Sequence, residues 1–273
     1  MQLQIPPCSL QDHVNTAIDT IGQKWIPKSQ KEARRHPDKE KIIEAEQDEL
    51  NSCMDKEVFK WIKTTPDHIK PLKVKWVYAR KDDGKWKARL CVRGDLQSEA
   101  DYEETFSPVV RHTTKRAFIA KAAKKKWKLR HVDVKTAFLN AKLKEDVYVA
   151  VDGKYAKLNK ALYGLKQASR AWNEEVNAFL KSIRFKQNEV DGCMYSKTDE
   201  FGQEVWVIVY VDDFLIMGDD DAVDNFVHVL GNKYDIKDLG QVQKYAGMQI
   251  MQSSRGIRHL RNSEADTGQW CVK

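Results

Sequence analysis

The chain has 273 residues, 47 basic and 40 acidic, for a formal net charge of +7. That length holds two ordinary domains or one multi-lobed one, and the positive balance fits a partner rich in phosphate, whose counterions basic side chains displace. No apolar run reaches membrane-spanning length, and Met1 to Leu10 lacks the basic start and apolar centre of a signal peptide. Cys8, Cys53, Cys91, Cys193 and Cys271 show neither paired nor zinc-like spacing, and the seven histidines form no cluster. The expectation is a reduced, intracellular protein with no membrane contact.

Residues 1–26 have no firm pattern and stay unassigned. Ser29 to Leu50 is charge-dense and punctuated by Pro37; from Asp38 it reads as a helix with Ile42, Ile43 and Leu50 as a sparse apolar stripe. Val74 to Arg80 and Lys85 to Val92 are strand-like runs around Lys81-Asp82-Asp83-Gly84, where Asp-Gly is a hairpin signal because glycine accepts positive φ. The two-residue period puts Lys85, Lys87 and Arg89 on one face and Trp86, Ala88 and Leu90 on the other. Such a cationic face suits a triphosphate, or it merely keeps an edge hairpin soluble.

Thr113 to Trp127 reads as a helix. The densest basic cluster overlaps and follows it: Lys121, Lys124, Lys125, Lys126, Lys128 and Arg130. This is either a template-binding surface or the solvent face of the helix. Leu129 to Val134 is a short strand with Asp133 near its end. The stretch between Tyr148 and Leu158 reads as a loop. Ala168, Trp172, Val176, Phe179, Leu180 and Ile183 recur at three- and four-residue spacing, the mark of an amphipathic helix. Val205 to Met217 is an apolar run, rich in β-branched and aromatic residues, interrupted by Asp212 and Asp213. Asp219 to Leu230 then reads as a helix, with acidic residues favourable in its first turn and Val223, Phe226, Val227 and Leu230 facing the core. Tyr234 to Ile250 supplies the final strands, and residues 253–273 form an unpatterned C-terminal tail.

Carboxylates are costly to remove from water unpaired, so a pair at the tip of an apolar hairpin points to a metal site; a plain turn, where Asp is common, is the alternative. Asp133 is a second strand-borne carboxylate able to meet them on a neighbouring strand. Hard oxygens of this kind suit Mg²⁺ or Mn²⁺. Two such ions stabilise the attacking and leaving oxygens of a nucleotidyl transfer. Side chains alternate along a strand, which makes Asp212 the firmer ligand and Asp213 the weaker.

Asp133-Val134-Lys135-Thr136-Ala137-Phe138-Leu139-Asn140 resembles polymerase motif A of the copia-type retrotransposon reverse transcriptases. Ala161-Leu162-Tyr163-Gly164-Leu165-Lys166-Gln167-Ala168-Ser169-Arg170-Ala171-Trp172 resembles their motif B, and Tyr210-Val211-Asp212-Asp213 their motif C. Lys75 to Tyr78, Lys87 to Leu90 with Arg93-Gly94, and Asp101 to Val110 follow the same family in order and spacing. The resemblance runs from about Pro27 to about Ile250 and implies an α+β fold: the fingers and palm of a right-hand polymerase, with an antiparallel sheet backed by helices. Fingers are expected over 58–110 and palm over 111–218 within a unit of 27–252. The thumb is expected to be incomplete and an RNase H domain absent, as in a C-terminally truncated piece.

The resemblance also implies an RNA-directed DNA polymerase using dNTP, a primer and an RNA or DNA template. Asp133, Asp212 and Asp213 would be catalytic and, with the Val134 carbonyl, would hold two Mg²⁺ or Mn²⁺ ions. Lys87 and Arg89 would meet the triphosphate, Phe138 would exclude a 2′-hydroxyl, and Gln167 would reach the nucleotide being inserted. Tyr210 and Val211 complete the motif C hairpin. The family's Phe-Leu-Gly is replaced here by Tyr245-Ala246-Gly247-Met248, a departure at the position that grips the primer. The alternative reading is a catalytically inactive nucleic-acid-binding remnant or domesticated fragment of such an element.

Overall fold

In the computed structural model, residues 25–67, 69–81, 83–98, 102–246, 248–253, 256–261 and 270–272 are described. In chain order they form α1 (Gln30–Ala33), α2 (Lys39–Asp55), β1 (Phe59–Ile62), β2 (Leu72–Arg80), β3 (Trp86–Val92), α3 (His112–Lys125) and β4 (Leu129–Val134). There follow β5 (Lys142–Val151), β6 (Lys154–Lys160), α4 (Ala168–Ser182), β7 (Lys186–Gln187), β8 (Met194–Thr198), β9 (Glu204–Tyr210) and β10 (Asp213–Gly218). The chain ends through α5 (Asp220–Lys233), β11 (Ile236–Gln241), β12 (Lys244–Tyr245), β13 (Met248–Ser253), β14 (Gly256–Arg261) and β15 (Trp270–Val272). Asp82, Asp101, Gly247 and residues 1–24 lie outside the described residues.

The first sheet has the order β1-β6-β5-β2-β3 and takes in the strands of the region expected as fingers. Its core face is set by alternation: Trp86, Ala88, Leu90 and Val92 of β3 are buried, and α2 covers them. The stripe on α2 differs from expectation. Ile42 is buried, but Ile43 is 42% exposed, and the inward positions include Ala45, Glu46, Glu49 and Cys53. Two carboxylates on a buried face hid the stripe from a hydropathy reading. They are accommodated because Arg34 and the Tyr78 hydroxyl donate to Glu46, and the Leu90 amide donates to Glu49 at 3.4 Å. Burial nonetheless pushes the Glu49 carboxyl above its ordinary range.

Residues 142–160, within the range expected as palm, form β5 and β6 and pair with β1 and β2 in this first sheet, so that sheet is built from two separate stretches of chain. The expected loop between Tyr148 and Leu158 is a hairpin. Val151 pairs with Lys154 across Asp152-Gly153, both at positive φ, as a tight two-residue turn demands.

The palm sheet has the order β11-β4-β10-β9-β8-β7 and is antiparallel throughout. Strands β9 and β10 are central and buried on both faces, which explains their near-continuous apolar sequence. Phe214 and Ile216 point toward α4 and α5, whose Trp172, Val176, Leu180, Val223, Phe226 and Leu230 join the same core. Leu215 and Met217 point the other way, into a second core with Phe118, Ile119 and Ala122 of α3. This sheet also extends past Gly218, because β11 pairs with β4 along its other edge.

Residues 253–273, expected to have no pattern, contribute β14 and β15 to a third sheet, β12-β13-β14-β15. These strands are specified by cross-strand pairing, β14 to β13 and β15 to β14, rather than by a periodicity of their own. Val242, Tyr245, Met248, Ile250 and Ile257 from this region seal the second core.

Candidate active site

The three aspartates converge at one end of the palm sheet. Asp213 opens β10 directly opposite Asp133 of β4, and Lys237 of β11 stands opposite Asp133 on the other side. Asp212 sits in the two-residue connection between Tyr210 and Asp213, which are themselves a register pair. Its backbone carbonyl accepts from the Val134 amide at 2.8 Å, tying the tip to motif A. Val211 carries the turn with φ +56, a conformation strained for a β-branched residue. Trp172 of α4, only 2% exposed, donates its indole N–H to the Val211 carbonyl at 2.6 Å.

Electrostatics distinguish the three carboxyls. Burial, then the neighbouring Asp213, raises Asp133 above its ordinary range, against the pull of Lys87, His131 and Lys237. Burial likewise raises Asp212; a local backbone hydrogen bond and Arg89 oppose the shift, while Asp213 and Asp133 add to it. Asp213 has a direct partner instead: His131 Nε2 lies 2.7 Å from its Oδ1. His131 stands two residues before Asp133 and so shares its face of β4. Its ring meets Tyr245 edge-on at 5.8 Å, and the buried Tyr245 hydroxyl donates to the Ile208 carbonyl at 3.3 Å. Tyr210 lies against Tyr245 with ring centroids 6.5 Å apart. An open cavity of about 600 Å³ lies beside this group, walled by His131, Asp213, Gln241, Gln243 and Lys244.

The fingers face the aspartates through Lys87 and Arg89. Desolvation, then Arg89 and Lys81, lower the Lys87 ammonium, while Asp133 opposes the shift. Arg89 lies over the Tyr163 ring at 4.7 Å, and Phe138, in the short 3₁₀ turn Ala137–Asn140, meets the same ring at 5.5 Å and 63°. Gln167 precedes α4, is buried, and accepts from Gln97 at 3.1 Å; Gln97 in turn accepts from the Lys166 amide at 2.9 Å. Lys87, Arg89 and, through Tyr163, Phe138 are thus drawn toward the three aspartates, whereas Gln167 lines a separate cavity with Glu104, Lys144 and Arg170.

The basic cluster is elsewhere. Lys121 and Lys125 pair with Glu204, Lys128 with Asp220, and Arg130 with Asp224 and Asp238. Glu204 opens β9 and Tyr210 closes it, so at roughly 3.3 Å per residue the Lys121 and Lys125 end of the cluster sits about 20 Å from the aspartates, while Arg130, three residues before Asp133 on β4, lies about 10 Å away. A second cavity, of about 500 Å³, opens near that far end beside Arg184, Phe185 and Phe226 and brings none of the three aspartates into its wall.

Residues 56–265 match the family described as reverse transcriptase (RNA-dependent DNA polymerase). The chain belongs to that family. It is 38% identical over 262 residues to the Retrovirus-related Pol polyprotein from transposon TNT 1-94 of Nicotiana tabacum, covering 90% of this chain and 20% of that protein. It is 32% identical over 229 residues to the Retrovirus-related Pol polyprotein from transposon RE1 of Arabidopsis thaliana, covering 78% of this chain and 15% of that protein. This reverse transcriptase domain therefore spans a fifth or less of the length of these relatives. Among solved structures, the foamy viral protease-reverse transcriptase in complex with dsDNA is similar with a TM-score of 0.45 and 14% identity, covering 80% of this chain and 41% of that one.

Motif reading of this family member missed His131, and it gave no role in the site to Tyr163 and Trp172 of motif B, nor a contact with the aspartates to Tyr245. Periodicity could have placed His131 beside Asp133. The partners of Tyr163 and Trp172 come from distant strands and leave no local signal. Among the described residues no helix is long and apolar enough to cross a membrane.

Proposed function

We propose that this reverse transcriptase domain transfers a nucleotidyl group from a deoxynucleoside triphosphate to the 3′-hydroxyl of a primer paired to an RNA or DNA template. The observation that carries the reading is the meeting of Asp133 and Asp213 across β4 and β10, with Asp212 at the adjoining tip and Lys87 and Arg89 opposite. The donor set fits Mg²⁺ or Mn²⁺: hard carboxylate oxygens whose charges burial and mutual repulsion disfavour until a cation is near. Among the described residues no three acidic, His or Cys side chains form a ready cage, in keeping with ions that draw much of their shell from phosphates and water. Asp133 and Asp212 would hold two ions with the Val134 carbonyl, and Asp213 is the weaker ligand because His131 already engages it. The chemistry such ions supply when bound is charge neutralisation at the attacking 3′-oxygen and the departing pyrophosphate.

The chain's own side chains do the rest. Lys87 and Arg89 bind the triphosphate from the fingers side. Phe138 lies under the incoming sugar and excludes a 2′-hydroxyl. Gln167, fixed by Gln97, contacts the nucleotide being inserted. Tyr210 and Val211 hold the hairpin that presents Asp212.

The test is primer extension on a poly(rA)/oligo(dT) hybrid with Mg²⁺ or Mn²⁺, beside Asp212→Asn. Incorporation of dTMP by the wild type and its loss in the variant is the expected result. Well-folded wild-type protein that binds the hybrid in low salt yet incorporates nothing would overturn the proposal in favour of an inactive binding remnant.

A further inference from the structure

Tyr163 stands where the motif B loop meets the fingers. Its carbonyl accepts from the Val92 amide at 2.7 Å, fixing the loop to the end of β3. Gly164 follows with φ +88, and a Cβ there would meet the Val92 carbonyl oxygen at 2.2 Å; a Cβ on Gly94 would meet the Gly164 carbonyl oxygen at 1.9 Å. Backbone therefore packs directly on backbone here, and the Tyr163 ring is held by a joint that leaves no room for slack.

That ring presents two surfaces. Over its face lies the Arg89 guanidinium, 4.7 Å from the centroid. Glu49 and Asp212 feel the Arg89 charge, but its buried Nε has no hydrogen-bond partner among the described residues, so the aromatic face is the contact that orients the cation. The same ring meets Phe138 at a tilt of 63°, an arrangement that favours a fixed relative orientation. The two residues assigned above to phosphate binding and sugar exclusion thus lean on one side chain.

We infer that Tyr163 is a positioning residue shared by both elements, so that nucleotide affinity and discrimination against ribonucleotides depend on a single ring. The inference rests on the nucleotide-site reading proposed above. Its role runs through its contacts with Arg89 and Phe138.

The experiment measures binding of dTTP and of UTP to the full chain on a poly(rA)/oligo(dT) hybrid, with Ca²⁺ in place of Mg²⁺ to hold nucleotide without turnover. Tyr163→Leu removes the aromatic face and edge. It is expected to weaken dTTP about tenfold and to move the dTTP-to-UTP affinity ratio toward one. Tyr163→Phe keeps both contacts and should stay within about twofold of wild type on both measures. Arg89→Ala should weaken both nucleotides alike with the ratio preserved, and Phe138→Ala should shift the ratio with inorganic tripolyphosphate affinity preserved. Only a shared support moves both. Should Tyr163→Leu fold poorly, Tyr163→Met supplies similar volume without a π face and carries the same test. Equal losses for both nucleotides with an unchanged ratio would make the ring merely structural and overturn the inference. Wild-type protein that binds neither nucleotide would instead overturn the nucleotide-site reading itself, and the inference with it.

Discussion

Trp172→Phe tests whether motif B holds motif C in place. The substitution removes the donor to the Val211 carbonyl at 2.6 Å and shrinks a side chain that is 2% exposed. Val211 is itself 39% exposed, so its freed carbonyl can turn to water, and the lost hydrogen bond costs only about 1 kcal/mol. The smaller ring leaves a void beside Tyr234, whose ring lies 5.3 Å from that of Trp172; lost burial and cavity together add about 2 kcal/mol. Urea unfolding should therefore show a loss of about 3 kcal/mol. The tip would keep its second anchor, the Val134 amide on the Asp212 carbonyl, so the hairpin should persist but wander. In steady-state primer extension kcat should fall about tenfold, corresponding to about 1.4 kcal/mol of lost positioning, with the KM for dTTP within about twofold of wild type. An unchanged kcat in protein destabilised by the expected amount would refute the reasoning, and the turn would then owe its geometry to β9 and β10 alone.

Glu204 accepts from Trp206 at 2.8 Å and pairs with Lys121 and Lys125, which together hold its carboxyl down at about 2 from an ordinary 4.5. A folded value below the unfolded one gives stability that is full above pH 4.5 and fades as pH falls toward 2. The shift corresponds to at most about 3.4 kcal/mol, and screening at a side chain one-quarter exposed leaves about 1–2. Glu204→Gln should cost that much in urea at pH 7, the difference should shrink to less than half by about pH 3, and polymerisation should be unaffected. Asp191 is buried and accepts from the Arg111 amide, the Thr114 hydroxyl and the Cys193 amide, so it fixes the start of α3 to the β7–β8 turn. Asp191→Ala should cost about 3 kcal/mol in chemical denaturation, and a loss below about 1 kcal/mol would mean water replaces all three bonds. Lys124 and Lys126 are exposed at the far end of the palm. Their joint replacement by Ala should leave the salt dependence of hybrid binding unchanged, whereas each lost phosphate contact would lower its slope by roughly 0.7–0.9.

What could be read from the sequence was whatever breaks a local pattern. Asp133, Asp212 and Asp213 interrupt apolar strands, and charge in such a place has few explanations. Lys87 and Arg89 share a face by simple alternation. The Asp152-Gly153 hairpin carries the same Asp-Gly signal as Asp83-Gly84 but reads as a loop, because its flanks lack clean apolar alternation. Glu46 and Glu49 on the buried face of α2 could not be anticipated, because their partners Arg34, Tyr78 and Leu90 come together only in the folded chain. β14 and β15 are likewise made by their neighbours. A positive φ at Val211 runs against every propensity of valine; the surrounding fold imposes it through Trp172 and the paired strands.

The same distinction separates the three aspartates. Alternation alone favours Asp212 as the firmer ligand, for a reason of direction. The register adds a chemical one. Asp213 faces Asp133 across the ladder, but its carboxylate turns along the sheet face to His131, where it gains a hydrogen bond and a neighbour that Tyr245 packs against. Among the described residues Asp133 and Asp212 make no side-chain hydrogen bond of that kind, and burial outweighs the pull of Lys87 on the first and of Arg89 on the second. On the proposed reading, a divalent cation would gain most from the two carboxylates whose charge burial disfavours. The third is better suited to holding His131 at the wall of the adjoining cavity. Two adjacent residues of identical chemistry thus receive different work from the strand ladder, because one lies in the turn and the other begins the strand.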